Sequence, residues 1–321
     1  MSSSPPTPTL RSGRVALVGR ANVGKSTLLN ALLGHPLAIT SPHPQTTRQV
    51  VRGVLTTEAA QYVFVDTPGI HAPRTRLGRW MNELARRQAL DADAVVLVSD
   101  VRREGDAEPE PRPDDLAIAA EIRAPLVLVL SKIDRLEDKA KLLPLMGAYA
   151  NARSFAAIVP LSAKREGAAQ AAAGPAPPSG GLARLLDELR PLLPEQPPLC
   201  DPDALSDQPE RFFVAELVRE QVLRHTRQEV PHGVAVVVDR FDEASRPARI
   251  EATIHVAREA HTKIVVGAGG AMLKRIGTDA RARIEAMLGS RVHLALRVRA
   301  TPDWMNDEAR LEELGYGRSG P

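Results

Sequence analysis

The chain has 321 residues, of which 43% are hydrophobic and only 3% aromatic, with a formal net charge of +3. That length exceeds the usual span of one hydrophobic core and predicts two domains, and the small basic excess permits a polyanionic partner without demanding one. The single cysteine, Cys200, excludes an internal disulfide and has no local partner for a metal site, while no apolar run approaches the roughly 18 residues of a membrane span.

The opening "MSSSPPTPTLRSG" has no apolar segment and predicts a disordered tail over residues 1–12. From Arg14 to about Pro191, short apolar runs alternate with amphipathic helical patterns. The strands are predicted at "RVALVG", "QVVRGVLT", "QYVFVD", "AVVLVSD", "LVLVLSK" and "FAAIVPLS". Most are apolar throughout, as expected when helices cover both faces of a mostly parallel sheet. The second and third are separated by a short turn and predict an antiparallel hairpin at one edge. The stretch "REGAAQAAAGPAPPSGG", residues 165–181, has low complexity and no apolar period, and is read as a flexible insertion in a first domain spanning 13–195. Proline-rich residues 196–209 are read as a linker. Helix, strand, strand, short helix, glycine turn, helix and strand then predict a small three-stranded α+β domain over 210–302, followed by a tail over 303–321. The fold class is therefore α/β: a P-loop domain with helices on both faces of a mostly parallel sheet, then a small α+β domain.

"GRANVGKS" fits the pattern GxxxxGK[ST] and stands between a predicted strand and a predicted helix, the context that pattern requires. Gly19, Arg20, Ala21, Asn22, Val23, Gly24, Lys25, Ser26 and Thr27 are the candidate phosphate-binding residues. Backbone N–H groups converge on phosphate, Lys25 reaches the β and γ phosphates, and Ser26 offers its hydroxyl to Mg²⁺. Three later elements select guanine. Asp66, Thr67, Pro68 and Gly69 form "DTPG", with Asp66 facing the metal through water and the Gly69 N–H meeting the γ-phosphate. Ser131, Lys132 and Asp134 lie in "SKID", where a carboxylate accepts from both N1–H and the exocyclic amine of guanine, a donor pair adenine lacks. Ser162, Ala163 and Lys164 form "SAK", where a backbone N–H meets the guanine carbonyl. Between the loop and "DTPG", the polar segment "ITSPHPQTTRQV" is expected to be mobile, with Thr47 rather than Thr46 completing the Mg²⁺ shell. No catalytic residue is assigned, because Ile70 occupies the position after "DTPG" where several GTPases place a water-orienting glutamine. Asn22 is a candidate site for a monovalent cation such as K⁺ in compensation.

A second glycine loop, "KIVVGAGGAMLKRIG", lacks the spacing of a dinucleotide-binding loop. Its GxxG turn between two helical patterns instead matches the KH module, in which missing side chains let a nucleic-acid backbone come close. From His261 to Ala300 there are eight basic residues against two acidic ones, so charge is focused around this turn. Lys263, Gly267, Ala268, Gly269, Gly270, Lys274 and Arg275 are the candidate RNA-binding residues.

In order, "NVGKSTLLNALLG", "QTTR", "VDTPGIH", "IVPLSAK", "ERFFVAELVREQ", "KIVVGAGGAMLKRIG" and "DWMNDEARLEELGY" make the chain resemble the Era family of bacterial GTPases over nearly its full length. The resemblance implies a cytoplasmic GTPase that uses GTP, GDP and Mg²⁺. It also implies binding near the 3′ end of small-subunit ribosomal RNA, action in assembly of the small ribosomal subunit, and peripheral contact with the inner face of the cell membrane. A monomer is expected. Ser131 departs from the family's asparagine, which predicts shortened or lost contacts to guanine and the neighbouring loop and up to roughly tenfold weaker affinity. The turn "GAGG" lacks the usual lysine at its third position, which predicts a salt slope lower by about 0.7. Two rival readings stand beside this one: an RNA-binding scaffold that binds GTP with little hydrolysis, and a P-loop kinase, for which the sequence offers no acceptor site.

Overall fold

Consecutive apolar residues buried on both faces build the central strands: every residue of "AQYVFVD" and "LVLVLS" is buried. The computed structural model of the protein describes residues 10–41, 43, 45–101, 110–173, 177–227 and 230–317. Most of the expected N-terminal tail thus lies outside the described residues, and its last two positions, Arg11 and Ser12, open the first strand.

The chain divides into two compact units. The first takes in the residues up to Ala38, Thr47–His71 and Met81–Asp207; the second comprises Ile39–Thr46, Ala72–Trp80 and the chain from Gln208 on. In chain order the elements are β1 (Arg11–Val18), α1 (Lys25–Leu33), β2 (Val51–Thr56), β3 (Ala60–Asp66), α2 (Arg76–Leu90), β4 (Ala94–Asp100), α3 (Pro113–Glu121), β5 (Leu126–Ser131), α4 (Leu142–Ala152), β6 (Ala157–Pro160), α5 (Ala163–Ala173), α6 (Gly180–Leu189), α7 (Glu210–His225), β7 (Val234–Asp242), β8 (Ala248–Val256), α8 (Glu259–Val266), α9 (Ala271–Leu288), β9 (Val292–Ala300) and α10 (Glu308–Glu313).

The sheet of the first unit has the order β2-β3-β1-β4-β5-β6. Only β2–β3 is antiparallel, which makes the expected edge hairpin. Pairing sets Leu17 beside Asp66 and Asp100 beside Ser131. The loops that follow β1, β3, β5 and β6 therefore open at one edge, the carboxyl ends of the strands, where open α/β sheets bind ligands.

Residues 165–181 do not form the flexible insertion expected from composition: α5 is helical from Ala163 to Ala173, and 174–176 lie outside the described residues. The helix lies against α1, and a Cβ on Gly167 would come within 2.9 Å of the Ala31 Cβ. Small residues make this contact, so no hydrophobic stripe announces it. Glu166 closes the stretch, its carboxylate accepting from the N–H groups of Ser162 at 3.1 Å and Leu182 at 3.0 Å.

The expected linker is also bound. The N–H groups of Leu199 and Cys200 donate to Gln61 Oε1 at 2.7 and 2.9 Å, and the Val54 N–H donates to the Leu205 carbonyl at 2.9 Å. Residues up to Asp207 thus cover the open edge of the sheet, where an unpaired strand would otherwise invite foreign pairing.

In the second unit the sheet order is β7-β8-β9, with β7–β8 antiparallel and β8–β9 parallel. Alternate residues of the strands (Ile250, Ala252, Ile254, Val256, Val292) join Val218 and Val222 of α7 and Ile276, Ala280 and Ile284 of α9 in one core. The segment after β9 is no loose tail: Trp304 is fully buried, its indole N–H donating to the Gly233 carbonyl at 3.1 Å and its ring stacking on Tyr316. Trp304→Ala is expected to destabilise this unit by about 3–5 kcal/mol, read by chemical denaturation. Among the described residues, no helix is long and apolar enough to cross a membrane.

Candidate nucleotide site and glycine turn

The loop after β1 is held in a conformation only some of its residues tolerate. Gly19 has φ 144°, and a Cβ there would stand 2.4 Å from the Val98 carbonyl oxygen. Gly24, at φ 109°, leads into α1 with no side-chain cap and no acidic residue in the first turn. The helix therefore presents unsatisfied N–H groups and positive potential to an anion. Lys25 lies buried over the loop, its ammonium donating to the carbonyls of Gly19 at 3.2 Å and Arg20 at 3.0 Å. Burial pushes this lysine down to about 8 against the pull of Asp66.

That shift has two opposed consequences. Between about pH 8 and the ordinary lysine value of 10.5, the unfolded chain holds a proton that the folded protein has released. Stability of the empty protein is therefore expected to rise with pH across this window. Triphosphate affinity, which needs the ammonium, is expected to fall by up to about tenfold per pH unit. Titration calorimetry and thermal melts on either side of pH 8 would separate the trends.

Ser26, Thr47 and Asp66 converge. The Ser26 hydroxyl donates to Asp66 Oδ2 at 2.6 Å and stands 2.8 Å from the Thr47 hydroxyl, which donates to the same carboxylate oxygen at 3.3 Å. Thr46 turns away, its hydroxyl donating to the His43 carbonyl. Asp66 is fully buried, and burial pushes its carboxyl up to about 6 against Lys25 and the two hydroxyls. Its Oδ1 has no hydrogen-bond partner among the described residues. An orphaned buried carboxylate oxygen beside two hydroxyls is a donor set suited to a hard divalent cation.

Gly69 is fixed by crowding, because a Cβ would stand 2.5 Å from the Ala21 Cα, and the next N–H, of Ile70, donates to the Gly19 carbonyl at 3.1 Å. The Ile70 side chain joins Val18, Ala85, Ala89, Leu90, Ile118 and Ile122 around an apolar cavity of about 110 Å³. It serves packing and carries no group able to handle a proton.

At the base-binding end, the Ser131 hydroxyl donates to the Val23 carbonyl at 2.6 Å. The expectation that serine would loosen the link to the neighbouring loop is thus corrected, because the shorter side chain reaches the backbone directly. Asp134 sits in a short turn, with Oδ1 accepting from the Ser162 hydroxyl at 2.5 Å. Partial burial draws its carboxyl upward, but the Ser162 bond, backbone donors and two nearby arginines outweigh this and hold it below the ordinary value.

A network beneath the loop had no counterpart in the sequence reading. Arg20 donates to Asp115 at 2.8 Å and Asp100 at 2.9 Å. Lys132 joins Asp100 at 3.1 Å and also donates to the Asn22 carbonyl. Asp115, with no exposed surface, accepts from the Ser99 hydroxyl at 2.5 Å and the Tyr149 hydroxyl at 3.4 Å. Two signals pointed there: a carboxylate closing the apolar strand "AVVLVSD", and "PDD" opening the next helix.

In the second unit, Gly267, Gly269 and Gly270 all have φ between 56° and 82°. A Cβ on Gly267 would meet Met272, whereas around Gly269 and Gly270 there is open space. Lys263, Lys274 and Arg275 are exposed around this turn, and Ile264 beside it is 49% exposed, an apolar surface the sequence reading did not single out.

A phosphate-binding loop on a mostly parallel sheet, followed by a three-stranded α+β unit with a bare GxxG turn, defines a P-loop GTPase carrying a KH module. Family models agree: one described as 50S ribosome-binding GTPase matches residues 14–132, and one described as KH domain matches 229–304. GTPase Era of Trichlorobacter lovleyi is 43% identical over 309 residues, covering 96% of this chain and 98% of its own, and GTPase Era of Syntrophus aciditrophicus is 43% identical over 311 residues, covering 95% of each. A crystal structure of a point variant of Aquifex aeolicus Era bound to GDP·AlF4⁻ superposes with a TM-score of 0.86 at 35% identity, covering 96% of this chain and 100% of its own. One of Era in complex with MgGDPNP and nucleotides 1506–1542 of 16S ribosomal RNA gives 0.85 at 35% identity, covering 96% and 99%. The chain belongs to the Era family of GTPases.

Proposed function

We propose that the protein binds GTP and GDP with Mg²⁺, hydrolyses GTP, and binds small-subunit ribosomal RNA near its 3′ end, acting in assembly of the small ribosomal subunit. The observation that carries the reading is the convergence of Ser26, Thr47 and the orphaned Asp66 carboxylate at the strand ends that also carry Asp134. Ser26, Thr47 and, through water, Asp66 would hold Mg²⁺, which supplies positive charge to the phosphates. Lys25 and the N–H groups from Gly19 to Thr27 bind and orient the phosphate chain. Thr67, with Pro68, fixes the loop from the side, its hydroxyl donating to the Leu17 carbonyl at 2.8 Å. Asp134 selects guanine. Because Glu166 occupies the Ser162 N–H, the N–H donor to the guanine carbonyl comes from Ala163 or Lys164, at the start of α5.

The RNA reading rests on the bare turn with its exposed Lys263, Lys274 and Arg275, and on the family member solved with nucleotides 1506–1542 of 16S ribosomal RNA. Crosslinking in cells followed by sequencing of the attached RNA tests it. Reads concentrated near the 3′ end of small-subunit RNA are expected, and a uniform spread would remove the assignment.

Asn22, at φ 61° with its carbonyl bonded to Lys132, remains the proposed seat of a monovalent cation. Faster GTP turnover in potassium than in sodium buffer is expected, and equal rates would discard the site.

A further inference from the structure

Helix α6 opens without a cap of its own. The Ser179 side chain, just before it, takes no hydrogen bond from the first turn, and that turn holds no acidic residue. Its first N–H groups therefore need an acceptor from elsewhere in the fold. Glu166 of α5 supplies one, with Oε2 accepting from the Leu182 N–H at 3.0 Å. Glycines permit this close approach. A Cβ on Gly180 would stand 3.2 Å from Oε2, and one on Gly181 would stand 3.0 and 3.1 Å from the two carboxylate oxygens.

The other oxygen of the same carboxylate serves the base-binding end. Glu166 Oε1 accepts from the Ser162 N–H at 3.1 Å. Ser162 is buried and held by each of its polar groups: its hydroxyl donates to Asp134 Oδ1 at 2.5 Å, and its carbonyl accepts the Glu166 N–H at 2.9 Å. Ala163 and Lys164 follow as the first two residues of α5, where N–H groups have no carbonyl partner within the helix. Both bonds to Glu166 run to a charged acceptor, the stronger kind. One side chain thus fixes the peptide that precedes the proposed donors to the guanine carbonyl and anchors it to the head of a second helix.

We propose that Glu166 is a positioning residue for guanine recognition: by tying the Ser162 peptide to the start of α6, it aims the Ala163 and Lys164 N–H groups at the guanine carbonyl. This rests on the guanine reading above. The test uses the full chain, as wild type, Glu166→Ala and Glu166→Gln, titrated with GTP and with 6-thio-GTP, in which sulfur, a weak acceptor, replaces the carbonyl oxygen. Glu166→Ala is expected to bind GTP about three- to tenfold more weakly, the weight of one neutral hydrogen bond, and to bind 6-thio-GTP within about twofold of wild type. Glu166→Gln keeps the shape and one acceptor, so its ratio of GTP to 6-thio-GTP affinity should fall between the two, and it carries the test if the alanine variant does not fold. Equal weakening on both nucleotides, or no change on either, overturns the positioning role and confines Glu166 to holding α5 and α6 together. Wild type that binds 6-thio-GTP as tightly as GTP overturns the carbonyl contact itself, whatever the variants do.

Discussion

Asp134→Asn is expected to lower GTP affinity by about 10²–10⁴ and to give the protein a preference for xanthosine triphosphate. In the proposed site the carboxylate would meet two donors on guanine, and each hydrogen bond to a charged group contributes about 1.5–3 kcal/mol. An amide offers one acceptor and one donor, which mismatches the paired N–H groups of guanine and matches the carbonyl that xanthine carries in place of the exocyclic amine. The Ser162 hydroxyl already holds one Asp134 oxygen, so the side chain is oriented before nucleotide arrives. Ser162→Ala should therefore weaken GTP binding by a smaller factor without changing base preference. Competition assays with the two triphosphates read both effects; retained guanine preference in Asp134→Asn would place base selection elsewhere.

The second large effect is expected at Asp115. It is fully buried, lies opposite Arg20, and also takes the Ser99 hydroxyl. Removing one partner of a buried pair leaves the other uncompensated, at a cost of about 3–5 kcal/mol. Arg20 keeps Asp100, which lies nearer the surface, so Asp115→Ala should fall toward the lower end of that range. Arg20 is part of the phosphate loop, and the same variant should weaken GDP and GTP alike. Asp115→Asn, which keeps the shape and one acceptor, should recover most of the stability and less of the affinity. Denaturant melts paired with nucleotide titrations check this, and a stability loss with unchanged affinity would confine the network to folding.

The residues proposed to grip nucleotide were legible because their chemistry forces local patterns: a glycine where a Cβ would strike Val98 or Ala21, a lysine beside the loop, carboxylates at strand ends. The elements followed from unbroken apolar runs and from alternation, and even the edge hairpin was visible in a short turn. What escaped was packing without hydrophobic contrast. Helix α5 is held by Gly167 against Ala31 and by Glu166, which ties its start to α6 through the Ser162 and Leu182 N–H groups, contacts that composition reads as low complexity. The proline-rich stretch to Asp207 is bound through backbone groups and Gln61, whose partners lie about 140 positions away in the chain. Trp304 looked like part of a tail because its cavity is assembled from distant segments. Arg20, Asp100 and Asp115 form one network only in space, and no spacing rule joins them.

Arg219 of α7 is 1% exposed, paired with Glu216, and donates to the carbonyl of Thr46; its Nη1 has no hydrogen-bond partner among the described residues. Thr46 is one peptide bond from Thr47, whose hydroxyl sits with Ser26 and Asp66. Loss of that carbonyl would leave a guanidinium that is 1% exposed short of an acceptor. One hydrogen bond to a cation contributes about 1.5–3 kcal/mol, which sets how firmly α7 holds the Thr46 backbone.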